Sequence, residues 1–373
     1  MTANPGVSIA RRSSTLSSSL GLGERLFASG DERKLADDIE AGLERVEEML
    51  LREVRFADDL ADTTTRYLLE AGGKRVRPVL VLLTAQLGDG ATDEVVRSAT
   101  ALEITHLASL YHDDVMDEAQ MRRGVPSAQS VWGNSVAIIT GDLLFARAST
   151  LVAGLGEEAL RLQADTFERL CLGQLHETIG PREHDEPVAH YLQVLADKTG
   201  SLIATAAESG VRFSNGPHEY IAPLREFGER IGVAFQLVDD VIDLSAESEA
   251  TGKEAGTDLR AGVATLPLLY LRAAAEPYAD SAALLARIEQ AVAASHAPAA
   301  ASGTDADADA ASAAERELAA VVAELRDHAV TARTLDDARR YAADATAALS
   351  AIPDGPVKTA LTGFAASVVD RDG

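Results

Sequence analysis

The sequence predicts an all-α fold, and three observations carry that prediction. The chain is rich in alanine and its aromatics make up 4% of the residues, which favours helix over sheet. Past Asp31, apolar residues recur at three- and four-residue spacing and seldom alternate at period two. No βαβ pattern or short-period repeat interrupts them. The 373 residues suffice for a sizeable core, so one large helical bundle is expected.

Residues 1–30 form a Ser-rich tail, expected to be disordered; the first twenty hold two arginines but no continuous apolar stretch, so no secretory signal is read there. KLADDIEAGLERVEEMLLREV starts the helical domain, residues 31–373. LADTTTRYLLEAGG is a second helix, stopped by Gly72 and Gly73. RPVLVLLTAQLG follows, with Pro78 where a helix can start. Long helices are then predicted over Val95–Glu118, Ser130–Gly154, Glu157–Thr178, His190–Ser209 and Tyr220–Leu244. Ala293–Ala314 is a low-complexity insertion, expected to be mobile. Helical pattern resumes at ERELAAVVAELRDHAV and runs to the end, with a break near IPDGP.

The formal charge is −25, from 34 basic and 59 acidic residues. Nucleic acid is therefore not an expected partner, because phosphate neutralisation needs a broad basic surface. An anionic ligand must be held by a few local cations or by metal ions. Cys171 is the only cysteine, which excludes an intramolecular disulfide and a thiolate zinc cluster and fits a cytoplasmic location. No run of about 18 apolar residues occurs, so no membrane-crossing helix is expected.

Into this acidic background the chain places two matching motifs. SLYHDDVMDEAQMRRG sets Asp113 and Asp117 on one helical face with Asp114 beside them, and FQLVDDVIDL repeats the pattern with Asp239, Asp240 and Asp243. Like charges at this spacing destabilise a bare helix and invite a counter-ion. Oxygen donors without histidine or cysteine suit Mg²⁺, which commonly bridges carboxylates to phosphates. Either motif alone would read equally as a solvated acidic face; the repetition inside apolar sequence is the signal. In AGGKRVRP three basic residues crowd a Gly-Gly turn at a helix start, where backbone N–H groups already favour an anion. Lys74 and Arg77 are three apart and can converge on one phosphate group. Arg122 and Arg123 form a second basic cluster. His106, two turns before Asp113, reads alone as a core histidine, and Trp132 as packing.

In order, GGKRxRP, HDDxxD with RRG, GD at 141–142, KT at 198–199, FQxxDDxxD and GK resemble the all-trans polyprenyl diphosphate synthases. The resemblance spans about Asp31 to Leu271 and returns in the C-terminal helices. It implies an isoprenoid synthase fold whose aspartate motifs face each other across a central cavity, and a prenyltransferase condensing isopentenyl diphosphate with an allylic diphosphate. It implies Mg²⁺, three ions, at Asp113, Asp117 and Asp239, with Asp114, Asp240 and Asp243 in support. Arg122, Lys198, Thr199, Gln236 and Lys253 would hold the allylic diphosphate, and Lys74, Arg77, His106 and Arg123 isopentenyl diphosphate. The family's GKxTLP lysine is replaced by Val263 in AGVATLP. A homodimer is expected, with a small partner subunit as an alternative and membrane contact limited to product release.

Small residues precede the first motif: Ser109 and Ala108, then Thr105 and Ala101. Short-chain members carry a bulky side chain four or five residues before it, so a long-chain product of six to ten units is expected, used as a quinone side chain. The alternatives are a geranylgeranyl diphosphate synthase, a terpene cyclase (which usually lacks GGKRxRP) and a non-catalytic subunit of a heteromeric synthase (which typically loses an aspartate motif).

Overall fold

A computed structural model describes residues 30–245, 255–295 and 305–370, without the side chains of 305–311. Its first helices are α1 (Gly30–Glu53), α2 (Asp59–Glu70), α3 (Val76–Ala85) and α4 (Asp93–Met116). Side chains start them where the sequence offers caps: Asp58 accepts from the Ala61 N–H and Thr92 from that of Val95. A two-residue hairpin, β1 (Met121–Arg122) and β2 (Val125–Pro126), leads into α5 (Ala128–Trp132), α6 (Asn134–Ala153) and α7 (Glu157–Ile179). Then come α8 (Pro187–Leu195), α9 (Ser201–Phe213) and α10 (Ile221–Asp243), and after them α11 (Thr257–Arg260), α12 (Leu266–Ala275), α13 (Ala279–Ser295), α14 (Asp305–Asp327), α15 (Ala329–Ala348) and α16 (Pro356–Val369). The all-α expectation holds.

Contacts divide the chain into two units interleaved in sequence, where the sequence suggested one domain over 31–373. The first holds residues up to Cys171, Gly200–Glu229 and Ala345–Ser367; the second holds Leu172–Thr199, Arg230–Asp344 and the residues from Val368. At the centre of the first, α4 packs against α1, α3, α6 and α9. A helix enclosed in this way must be apolar or internally satisfied on every side. Its buried hydroxyls turn inward: Thr100 donates to the Val96 carbonyl (2.8 Å) and Thr105 to that of Ala101 (2.9 Å). Gly141 of α6 permits a close approach here, since a β-carbon on it would lie 2.4 Å from the His112 ring. The second unit has its own core, built from Leu237, Leu271, Leu318 and Val321 among others.

Three expectations change. The helix predicted over His190–Ser209 is two helices joined by a π-helical turn, Ala196–Gly200, an irregularity frequent at functional sites. The one over Ser130–Gly154 breaks at Gly133, whose φ is 84°. Helix α6 is long and apolar enough to cross a membrane by length and composition, so the expectation of no such segment is corrected. Asp142 and Arg147 interrupt its apolar run. The tail up to residue 29, Lys253, and residues 296–304 of the Ala/Asp-rich insertion lie outside the described residues; α14 begins within the insertion at Asp305.

Candidate active site

Helix α4 delivers the first acidic motif at its C-terminus. Asp117 caps it, donating its N–H to the Asp113 carbonyl at 2.8 Å. Glu118 then turns left-handed at φ 49°, and the Ala119 N–H donates to the Asp114 carbonyl, a Schellman-type stop. Carboxylates at this end oppose the helix dipole, so the motif is unfavourable until a cation offsets it. Asp113 is half-buried, Asp117 exposed and Asp114 fully buried. Arg122 donates Nε–H to Asp114 Oδ1 at 2.6 Å, while Oδ2 is buried without a hydrogen-bond partner. Burial holds the Asp114 carboxyl above its ordinary range, against the pull of Arg122.

The hairpin brings the arginines there. Arg122 pairs with Val125 across it, and the turn residues Arg123 and Gly124 have φ of 52° and 78°, the type I′ geometry that suits a two-residue loop. Tyr67 donates to the Pro126 carbonyl at 2.9 Å and meets Trp132 edge-on, so Trp132 does pack. Arg123 reaches back to the carbonyls of Leu68 (2.8 Å) and Gly72.

Those contacts place Arg123 against the Gly72–Gly73 turn, beside Arg75 and Arg77. Lys74 is exposed on the turn. The Nε of Arg77 is buried and has no hydrogen-bond partner, a state that costs free energy unless a ligand fills it. Burial lowers the Arg77 pKa to about 10, with Glu103 opposing and Arg123 adding to the effect. Burial, and then Arg77, Arg123, Arg75 and Arg122, hold His106 well below the usual imidazole value. Four guanidiniums around one imidazole, with a donor unused, suit a polyanion.

His106 sets a pH expectation. Its depressed folded pKa means that its contribution to stability is complete above the unfolded value of 6.5 and is lost as pH falls below it. In the NMR spectrum of the free protein, the His106 ring should stay neutral through 6.5, and inorganic diphosphate should raise its midpoint. An ordinary titration in the free protein would contradict this crowding.

A small open cavity, about 30 Å³, lies in the same unit. Ser98, Ala101 and Thr105 of α4 line it, facing Thr166 of α7 and Thr205 of α9. Thr166 donates to the Leu162 carbonyl (2.6 Å) and pairs with Thr205 at 2.7 Å. With Thr105 bonded within its own helix, the three threonine hydroxyls are satisfied; Leu102, Val152, Leu155 and Leu162 make the wall partly apolar, and Ser98, Gln163 and Ser209 keep part of it polar. Ala108 and Ser109 are buried further along α4 toward Asp113 and are not among the lining residues.

The second motif ends α10. Asp239 and Asp243 are half-buried and Asp240 is buried. Burial pushes the Asp240 carboxyl up to about 8, although the Tyr191 hydroxyl, donating at 2.7 Å, opposes this. Asp243 accepts from the Asp258 N–H at 3.1 Å. Lys198, on the π turn, pairs with Glu177, and Thr199 donates to Gln236 Oε1 at 3.4 Å. Lys198, Thr199 and Gln236 thus lie in the unit of the second motif, and Arg122 in that of the first. Val263 is exposed.

The donors are oxygens, and the buried carboxylates Asp114 and Asp240 are both held high by desolvation, so the motifs fit a hard cation. Among the described residues no three acidic, imidazole or thiol side chains converge as a ready-made metal site. A cation would take carboxylate oxygens together with water or ligand oxygens, as Mg²⁺ does. Sequence reasoning missed Glu47, Glu103 and Tyr191 and gave Arg75 no role; nothing in spacing marks a buried partner contributed by another helix.

The family model described as polyprenyl synthetase matches residues 58–300. The nonaprenyl diphosphate synthase of Mycobacterium tuberculosis is 41% identical, over 97% of this chain and 100% of its own length. The octaprenyl diphosphate synthase of Haemophilus influenzae is 31% identical, over 93% and 98%. The crystal structure of polyprenyl synthase from Caulobacter crescentus CB15, complexed with calcium and isoprenyl diphosphate, superposes with a TM-score of 0.75 at 32% identity, covering 92% of this chain and 98% of that one. With the family model spanning both aspartate motifs and a relative matched along its whole length, the chain belongs to the polyprenyl synthetase family.

Proposed function

We propose that this chain condenses isopentenyl diphosphate head to tail with an allylic prenyl diphosphate, making a long-chain all-trans polyprenyl diphosphate. The observation that carries it is the arginine pocket with an unused buried donor, set beside the first aspartate motif on a helix that also lines a partly apolar cavity. The nonaprenyl and octaprenyl relatives support the long chain.

The metal we propose is Mg²⁺, three ions, held by Asp113, Asp117 and Asp239, with Asp114, Asp240 and Asp243 in support; it supplies Lewis-acid stabilisation of the leaving diphosphate. The calcium in the Caulobacter relative supports a divalent cation. Arg122, Lys198, Thr199, Gln236 and Lys253 bind the allylic diphosphate, and cationic hydrogen bonds stabilise charge as the allylic C–O bond breaks. Lys74, Arg77, His106 and Arg123 hold isopentenyl diphosphate so that its double bond attacks the allylic cation; the proton lost passes to the departing diphosphate. The apolar part of the wall keeps water from the cation.

We further propose a cytoplasmic homodimer. The outward Ile138 and Ile139 of α6, 42% and 58% exposed, support an apolar interface.

The purified chain, given Mg²⁺, isopentenyl diphosphate and allylic primers of several lengths, should release linear products of six to ten units. A cyclised hydrocarbon, or no incorporation, would overturn the proposal. Arg77→Ala should raise the apparent KM for isopentenyl diphosphate about tenfold and that for the primer much less. A larger rise for the primer would mean that the two sites are exchanged.

A further inference from the structure

The three basic residues of AGGKRVRP have different surroundings. Lys74 is exposed and Arg77 half-buried, whereas Arg75 is buried. Arg75 also holds a left-handed φ of 52°, a region other residues leave mostly to glycine. Its guanidinium lies between Glu47 of α1 (Nε to Oε1, 2.5 Å) and Glu103 of α4 (Nη1 to Oε1, 3.2 Å). Glu103 is buried as well, one turn before His106. The Arg75 Nη1 reaches the Gly72 carbonyl at 3.4 Å, and Arg123 donates to that same carbonyl. A β-carbon on Gly73 would stand 2.5 Å from Arg75 Nη1 and 3.1 Å from the Arg123 guanidinium, so both arginines pack against the glycine turn.

We propose that Glu103, with Glu47, is a positioning residue for the isopentenyl diphosphate pocket: the pair clamps Arg75, and the clamped Arg75 fixes the turn that sets where Arg77 and Arg123 meet the diphosphate. The inference rests on the reading of that pocket given above.

Two considerations separate this role from plain stabilisation. A buried carboxylate beside an anion site repels the anion, so Glu103 stands there against the electrostatics of binding. Replacing a buried ion pair with apolar side chains is often neutral for stability, so stability does not require these charges. Arg75 is matched by two carboxylates, whereas neither Arg77 nor Arg123 makes a salt bridge among the described residues. The clamp therefore takes up Arg75 in direct ion pairs, while Glu103 acts on Arg77 and Arg123 only at longer range and leaves both without an ion-pair partner at contact distance.

The test is Glu103→Gln, which keeps the shape and removes the charge. Charge alone predicts tighter isopentenyl diphosphate binding in this variant. Positioning predicts an apparent KM raised about tenfold or more, with the primer KM within about twofold of wild type. An unchanged or lowered KM overturns the proposal. A second variant, Arg75→Met with Glu103→Leu, guards against loss of folding. If it recovers the wild-type melting temperature while the KM stays high, the clamp is a positioning device; if both recover, it is only a structural tie. Arg77→Ala separates the two readings. Should it leave the isopentenyl diphosphate KM unchanged, the pocket assignment fails; should it raise the KM while Glu103→Gln does not, only the clamp fails.

Discussion

Asp113→Ala and Asp239→Ala will each lower turnover by about a thousandfold or more, roughly 4 kcal/mol of transition-state stabilisation, with the helical circular dichroism unchanged. Both side chains are half-buried, so neither is needed to fill a core. They stand instead where a helix end would be better off without a negative charge. EDTA should abolish activity in the wild type. The neighbouring acids should behave differently. Asp114 is fully buried and pairs with Arg122, and Asp240 is buried against Tyr191. Asp114→Ala would leave a guanidinium without its buried partner and should lower the melting temperature along with the rate. Near-normal turnover of either Asp113→Ala or Asp239→Ala, with Mg²⁺ the only metal present, would remove the metal assignment.

Helix class and acidic motifs were legible in the sequence because both are local. Periodicity within about ten residues reports a helix, and two aspartates four apart share a face whatever lies around them. What escaped was set by distant segments. The π turn under Lys198 and Thr199 has no signature in its apolar spacing. The burial of Glu103 depends on Arg75, 28 residues away, and Tyr191 meets Asp240 across 49 residues. The hairpin at Arg123–Gly124 escaped for another reason: two-residue strands are too short for alternation to show. Arg122 was assigned to the allylic diphosphate by resemblance, yet its hydrogen bond to Asp114 gives it a structural task that spacing does not announce. The small residues before Asp113 were visible, but which of them face a cavity depended on the helices packed opposite.

That last point shapes the prediction for product length. Ala108→Phe should collapse the product from six to ten units to about three or four without loss of primer consumption, if the tail runs from Asp113 back along α4. Ala101 and Thr105 line the cavity, and Ala108 lies two helical turns from Ala101 on the same face. A phenyl ring at Ala108 would obstruct the path nearer the motif. One at Ala101 would obstruct it about 10 Å deeper, at 1.5 Å per residue. With an isoprene unit about as long as one 5.4 Å turn, Ala101→Phe should give a product about two units longer than Ala108→Phe. Ala108 is fully buried, so the larger ring should also cost about 1–3 kcal/mol of stability through overpacking. A melting curve would distinguish a blocked path from a lost fold. If both variants fold and both yield the wild-type product, the tail does not follow this face. If both shorten the product equally, what stops the chain is the width of the entrance and not the depth of the cavity.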